Sequence, residues 1–381
     1  IKELKIIERR LVRLWPYASR RTRGNGALSA VVEIPLDSKS NLLACCKSWF
    51  DDLLSEIASY PDAENNPSPA LLVSFDATPS DWYWEAVRGE VSLDDRIKEV
   101  TDSKIFVLSH EDQWGVIGAS AAISWMPPGN HSWELIGWRA NEKIGTERKI
   151  SKKSIDEMSR LFPDTFMNRD PTSDKGIISP RTPCPVLYGI RGANRSAVES
   201  ANSWIQGVEG NERCFKWSSH ITNQLSDDHL EGTSSGTVIS KPEVMKGAHA
   251  TVKVISDQEG LNLVAFNEGG NVNKLLRQLI PGDRISWMGL RSPDGSIHLE
   301  RLKLDSASPR NLSRPVCCGS SMRSKGRGQD LYCDKCRMKA EKFWIFDRWS
   351  PVGLDLVEGW SQPPPSNRRH LSMPLEHRIP M

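Results

Sequence analysis

Cys317, Cys318, Cys333 and Cys336 are the residues of this chain whose type and spacing most plainly suggest chemistry. Two knuckles separated by fifteen residues, with Gly319, Gly326 and Gly328 between them, would offer four thiolates to one tetrahedral Zn2+ through two tight turns. The first knuckle is C-C where C-x2-C is usual, and adjacent thiolates in an extended chain point apart. A ribbon without metal, or a zinc completed by another ligand, therefore stays open. A second candidate is Arg21-Thr22-Arg23-Gly24-Asn25-Gly26. Backbone amides near Gly24 and Gly26 can cradle a phosphate while Arg21 and Arg23 neutralise it. A plain hairpin turn also wants Asn-Gly. Cys184, between Pro183 and Pro185, invites a nucleophilic reading, but a buried structural thiol is preferred because nothing nearby in sequence lowers its pKa.

The 381 residues balance 50 Lys+Arg against 48 Asp+Glu, a globular composition that excludes a disordered polyelectrolyte. The longest charge-free apolar-looking stretch, Trp114 to Trp133, is broken by Pro127, Pro128, Gly129 and Asn130, so no membrane-spanning helix is expected. Eight cysteines are too few for a disulfide scaffold at this length, which suggests a reducing, cytoplasmic setting. Charge is segregated. Residues 1–23 hold eight Lys/Arg against two Glu, and residues 310–348 ten bases against four acids, so both ends present basic surface suited to phosphate backbones.

Elements able to position these residues follow from periodicity. Strands are expected at Leu11–Leu14, Ala27–Ile34 and Ala70–Phe75, with a helix over Leu42–Tyr60. Strand Phe106–Ser109, helix Val116–Ile123, strand Trp133–Trp138, helix Lys153–Leu161 (capped by Ser151 or Ser154), strand Val186–Ile190 and helix Ala197–Ile205 suggest a ferredoxin-like α+β unit. Five strands at Thr237–Ile239, Ala248–Ile255, Leu261–Phe266, Arg284–Leu290 and Ile297–Leu304, with helix Asn273–Leu279 between the third and fourth, match the OB-fold pattern. The expected fold is a multidomain α+β chain: a mixed α/β region over 1–105, a ferredoxin-like domain over 106–222, a five-stranded OB-fold β-barrel over 230–308, a zinc ribbon over 310–343 and a basic C-terminal tail over 344–381.

Several strings then resemble one family in order along the chain. Leu11-Val12-Arg13-Leu14 with Arg21–Ala27, Gly115–Ala119, Trp133–Arg139, Pro183-Cys184-Pro185-Val186-Leu187-Tyr188-Gly189-Ile190-Arg191-Gly192, Pro281-Gly282-Asp283 and Arg368-Arg369-His370-Leu371 resemble the archaeal tRNA-isoleucine 2-agmatinylcytidine synthetases. The resemblance implies an ATP-dependent ligase that joins agmatine to the wobble cytidine of the CAU-anticodon isoleucine tRNA through a phosphorylated cytosine, so that AUA is read. It implies that residues 1–105 are the remainder of an ATP-binding kinase-like α/β domain. It also implies ATP, Mg2+ and a structural Zn2+, nucleotide binding at Arg21, Thr22, Arg23, Gly24, Asn25 and Gly26, and substrate binding at Pro183, Cys184, Pro185, Gly189, Ile190, Arg191 and Gly192.

The family's Gly-Ile-Asp-Asp-Thr-Asp-Ser stretch is absent and the first residue is Ile1, so the expectation is a fragment whose catalytic acidic motif lies upstream and whose catalytic residues are unknown. Trp15 and Tyr17 stand where asparagines are usual, and Ser19 where a proline is. Asp76, Glu134 and Asp170 are candidate partners for the agmatine guanidinium, although a surface or capping acid is the preferred reading of each. The rival reading is a non-catalytic RNA-binding protein built from the OB-fold and ribbon.

Overall fold

The computed structural model describes residues 4–21, 24–59, 67–310, 312–342, 345–346, 349–378 and 380. The chain forms two compact units. The first comprises residues 1–231 with 364–378, and the second chiefly 232–363.

The first unit contains β1 (Lys5–Arg13), β2 (Gly26–Glu33), α1 (Lys39–Ala58), β3 (Ala70–Val73), α2 (Asp81–Arg88), α3 (Leu93–Asp102), β4 (Phe106–Ser109), α4 (Gly115–Ser124), β5 (Ser132–Trp138), α5 (Lys152–Leu161), β6 (Thr165–Phe166), β7 (Arg169–Asp170), β8 (Lys175–Gly176), β9 (Val186–Gly192), α6 (Arg195–Gly207) and β10 (Lys216–Thr222). Six strands make one sheet in the order β2-β1-β10-β5-β9-β6. Only the β1–β10 contact is parallel. The sheet therefore carries strands from both sides of residue 105, and β10 joins them. Sequence reading passes over β10 because Lys216-Trp217-Ser218-Ser219-His220-Ile221-Thr222 does not alternate. Its last four residues are all buried, as on a strand covered on both faces.

Two apolar clusters flank this sheet. Val12, Tyr83, Val87, Ala121, Trp125 and Ile221 form one, and Leu135, Met158, Leu187, Ile190, Val198 and Ile205 the other. The expected helices at α1, α4, α5 and α6 are present, and Ser151 caps α5 by accepting from the Ser154 N–H at 3.1 Å. Helices α2 and α3 carry no clear sequence signal. They are short, and α2 is rich in Trp and Tyr, which are indifferent helix formers. Burial of Trp82, Tyr83, Ala86 and Val87 on one face of α2 holds it instead.

The second unit is a closed barrel of β11 (Ser234–Val238), β13 (Ala250–Ser256), β14 (Glu259–Ala265), β15 (Arg284–Arg291) and β16 (Ile297–Ser306), with the short β12 (Glu243–Val244) against β13 and α7 (Asn271–Leu276) between β14 and β15. The circuit runs β11-β15-β16-β14-β13 and closes through β11–β13, with β14 and β16 parallel. This is the OB-fold connectivity expected from the five strand signals. Val252, Leu263, Leu275, Ile285 and Leu302 fill its interior. Beyond it, Val316–Cys317, Ser320–Ser321, Arg323–Ser324, Leu331–Tyr332 and Lys339–Ala340 form short ladders of a ribbon.

Candidate functional site

Register places Glu134 of β5 directly between two neighbours, Arg191 on β9 and His220 on β10. Residues opposite each other across strands put their side chains on the same face. Glu134 thus meets the Arg191 guanidinium, with Nε 3.3 Å from Oε1. From the end of β1, Arg13 brings Nη2 to 3.4 Å from Oε2. The carboxylate is 3% exposed and also accepts from Gln224 Nε2, just past β10. Burial would raise its pKa, but the Arg191 and Arg13 guanidiniums, His370 and the Gln224 hydrogen bond outweigh that and hold it at about 2. Gly189 permits the approach, since a Cβ there would sit 2.7 Å from Glu134 Oε1.

Around this ion triad the groups are fixed from several elements. Asn223 continues the β10 edge with its side chain, accepting from Arg13 N at 2.7 Å and donating to Arg13 O at 2.8 Å. It also donates to Tyr83 Oη, which donates to Asp228 Oδ2. The segment 364–378 returns to this unit. Gln224 Oε1 accepts from Arg191 Nε at 2.9 Å and lies 3.1 Å from His370 Nδ1, while Arg369 Nη2 donates to Tyr17 Oη at 2.6 Å.

A cleft of about 210 Å3 opens here, lined by Arg13, Arg21, Gly24, Asn25, Arg369 and His370 among others. Three guanidiniums line this one small cleft, and the Gly24 carbonyl accepts from Arg13 Nη1 at 3.3 Å. Arg21, Gly24, Asn25 and Gly26 accordingly border the cleft or the Arg13 side of it, and Thr22 and Arg23 lie outside the described residues.

The string Pro183–Gly192 does not arrive as one site. Its Gly189–Gly192 end joins the Glu134 cluster, and Ile190 is core. The Pro183-Cys184-Pro185 end sits at the other end of β9, roughly 20 Å away by strand rise. There Arg148 gathers the carbonyls of Pro180, Thr182, Cys184 and Val186, and its Nη2 lies 3.1 Å from Cys184 Sγ.

In the second unit, Cys317, Cys318, Cys333 and Cys336 place their sulfurs within 4.8 Å of one another. Cys317 Sγ is 3.9 Å from Cys318 Sγ and 3.5 Å from Cys336 Sγ. Sulfurs bound at ~2.3 Å to a tetrahedral zinc stand about 3.8 Å apart, so the donor set fits that ion. The objection from the C-C knuckle assumes an extended chain. Here Cys318 (φ 50°) and Gly319 (φ 75°) turn the backbone back at once, which brings both thiols to one side.

A family model for the TiaS FLD domain matches residues 113–229. The isoleucine-tRNA 2-agmatinylcytidine synthetase TiaS of Archaeoglobus fulgidus is 32% identical over 96% of this chain and 88% of its own length. The chain belongs to that synthetase family. The Methanocaldococcus jannaschii synthetase is 28% identical over 96% of this chain and 89% of its own. The solved complex of TiaS with its isoleucine tRNA and ATP superposes with a TM-score of 0.78 at 29% identity, covering 100% of this chain and 91% of that one. The complex with the same tRNA, AMPCPP and agmatine gives 0.75 at 27% identity over 99% and 90%.

Within this synthetase fold, sequence reading passes over Arg13, Gln224, Asn223 and Tyr83. The one available signal is the polar run Thr222-Asn223-Gln224 directly after an apolar residue, which marks a strand end carrying buried amides. Of the three acids considered for agmatine, Glu134 is occupied by two arginines. Asp170 accepts from Thr172 and Ser366, and despite burial these hydrogen bonds hold it at about 2. Asp76 is exposed.

Proposed function

We propose that this chain serves ATP-dependent ligation of agmatine to the wobble cytidine of the CAU-anticodon isoleucine tRNA. The observation that carries the reading is family membership across 96% of the chain, joined to solved relatives holding isoleucine tRNA, ATP and agmatine. The chemistry asks for what the cleft offers. The cytosine C2 oxygen is a poor leaving group until phosphorylated, after which the neutral amine of agmatine attacks C2 and phosphate departs with the oxygen. The amine sheds a proton in that step, because its pKa is near ~10.4 by analogy with lysine. Arg21 and Arg13, at the Gly24–Gly26 turn, bind the triphosphate. Arg191, held by Glu134, faces the substrate side. Residues 1–105 would serve the nucleotide, 106–222 and the Pro183–Gly192 strand the base and agmatine, and 230–308, 310–343 and the 344–381 tail the tRNA.

Two metals belong to the reading. Zinc would be held by the four cysteines and would fix the ribbon's fold. Mg2+ would accompany the nucleotide and neutralise phosphate charge. Among the described residues the four thiols are the one cluster with metal-ligand spacing, so no Mg2+ ligand is assigned. No described helix is long and apolar enough to cross a membrane. Purified in reducing buffer, the chain is expected to carry one zinc, and Cys333→Ser to lose it. Less than half an equivalent by metal analysis would overturn the zinc ribbon.

With this protein, labelled agmatine should enter a transcript of the CAU-anticodon isoleucine tRNA only with ATP and a cytidine at the wobble position. In the same protein Arg21→Ala should weaken ATP binding by about ten- to a hundredfold, for a charged hydrogen bond of ~1.5–3 kcal/mol. Incorporation without ATP or into a wobble-uridine transcript, or unchanged nucleotide affinity by calorimetry, would refute the respective assignment.

A further inference from the structure

On the barrel, three aromatic rings stand in a row across three adjacent strands. His249 leads into β13, Phe266 follows β14, and His298 lies in β16. The register sets them side by side, since Ala250 pairs with Ala265 and Val264 with His298. Phe266 meets both histidines edge-on, with ring centroids 5.2 Å from His249 and 4.8 Å from His298. It nevertheless remains 38% exposed. An exposed phenylalanine held by two rings is fixed in orientation without being covered.

The surroundings keep that ring in place. His249 Nδ1 accepts from Asn267 N at 3.0 Å and lies 3.8 Å from Glu268 Oε2. Asn273 of α7 donates to Ala248 O at 3.1 Å and to Ala265 O at 2.8 Å, tying together the residues that precede His249 and Phe266. Gly247 lets the β12–β13 turn fold over the imidazole. Its φ is 82°, and a Cβ there would lie 3.0 Å from His249 Nε2. Exposed Lys246 and Lys274 adjoin these fastenings in sequence, and Met245 is 45% exposed beside them. The row sits on the second, third and fifth barrel strands, where the loop between the first two strands and the loop between the last two both end. In five-stranded barrels of this connectivity that is the surface open to single-stranded nucleic acid.

We propose that Phe266, framed by His249 and His298, is a stacking platform for an unpaired base of the bound RNA, with Lys246 and Lys274 drawing the adjoining phosphates. This rests on the tRNA-modifying reading but adds a contact that none of the nucleotide-cleft residues supplies. A base needs exposed aromatic surface more than a hydrogen-bond pattern; Phe266 is 38% exposed, and Lys246 and Lys274 are exposed on the turn and helix whose neighbouring residues fasten the ring.

The test uses the full chain and a single-stranded U12 RNA followed by fluorescence anisotropy across a salt series. Phe266→Ala should weaken binding about ten- to a hundredfold at every salt concentration while leaving the slope of log K against log salt unchanged. Lys246→Gln should instead lower that slope by roughly one. Phe266→Trp should restore affinity, and its indole fluorescence should be quenched on adding U12 but not on adding a blunt RNA duplex. Affinity of Phe266→Ala within twofold of the unaltered chain, or an indole signal indifferent to U12, would overturn the platform. If U12 quenches while the unaltered chain fails to bind the CAU-anticodon isoleucine tRNA, the platform stands and the tRNA-modifying reading falls.

Discussion

Glu134→Gln is expected to cost this chain about 3 kcal/mol of stability at neutral pH, and less than half of that at pH 3. The carboxyl is held at about 2 against a reference of 4.5. At ~1.36 kcal/mol per unit, that depression is worth about 3 kcal/mol. Removing one member of a buried ion cluster independently costs ~3–5 kcal/mol, because here Arg13 and Arg191 would lose their shared counter-charge. The sign follows from the folded pKa lying below the unfolded one. The contribution is fully present above pH ~4.5 and is lost as pH falls through 2. Urea unfolding of the two proteins from pH 7 to pH 3 should therefore show converging stabilities. A difference that stays constant over that range would mean that Glu134 matters through packing alone. ATP affinity should fall alongside stability, since Arg13 reaches the cleft from the same triad.

Much of the architecture is legible because its signals are local. The five barrel strands alternate and are separated by Gly, Pro and Asp turns, and α5 announces itself with a serine three residues before the N–H that it caps. The triad is not legible, for a definite reason. Arg13, Glu134 and Arg191 come from three distant stretches of chain, and only the order β1-β10-β5-β9 makes them neighbours. A sequence in which β10 goes unrecognised has no means of bringing β1 beside β5. The same gap separates Arg21–Gly26 from the strand end at Arg191, although each stands out on its own. Conversely, the cysteine pair looks ill-suited to metal only while the backbone at Cys318 is taken as extended. A residue in the left-handed region followed by glycine supplies in one step the turn that C-x2-C needs two spacer residues to make.

Ending the chain at Pro363 should dismantle the cleft while leaving the barrel folded. Arg368-Arg369-His370 read as a basic tail able to attract phosphates, and such a tail would be dispensable for folding. Its neighbours are not those of a solvated tail. Leu371 is 3% exposed against Val12, Tyr83 and Ile221, and Leu375 is 1% exposed. Leu225 N donates to His370 O at 3.0 Å, Asp227 N to Leu371 O at 2.9 Å, and Met373 N to Asp227 Oδ1 at 2.7 Å. The segment thus completes the first unit's core and one wall of its cleft. Leu371→Ala alone should cost about 2–5 kcal/mol, the range for emptying a buried leucine. That loss should appear in the unfolding transition of residues 1–231 and not in that of the barrel, whose interior residues span 238–302. The shortened chain should lose ATP affinity by more than Arg21→Ala does, because Arg369 and His370 leave together with the leucine that seats them. If the segment acted only as a polycation, Leu371→Ala would be silent and removal of 364–381 would merely flatten the salt dependence of tRNA binding. Unchanged stability of the first unit, read by hydrogen exchange at Val12 and Ile221, would decide for the polycation.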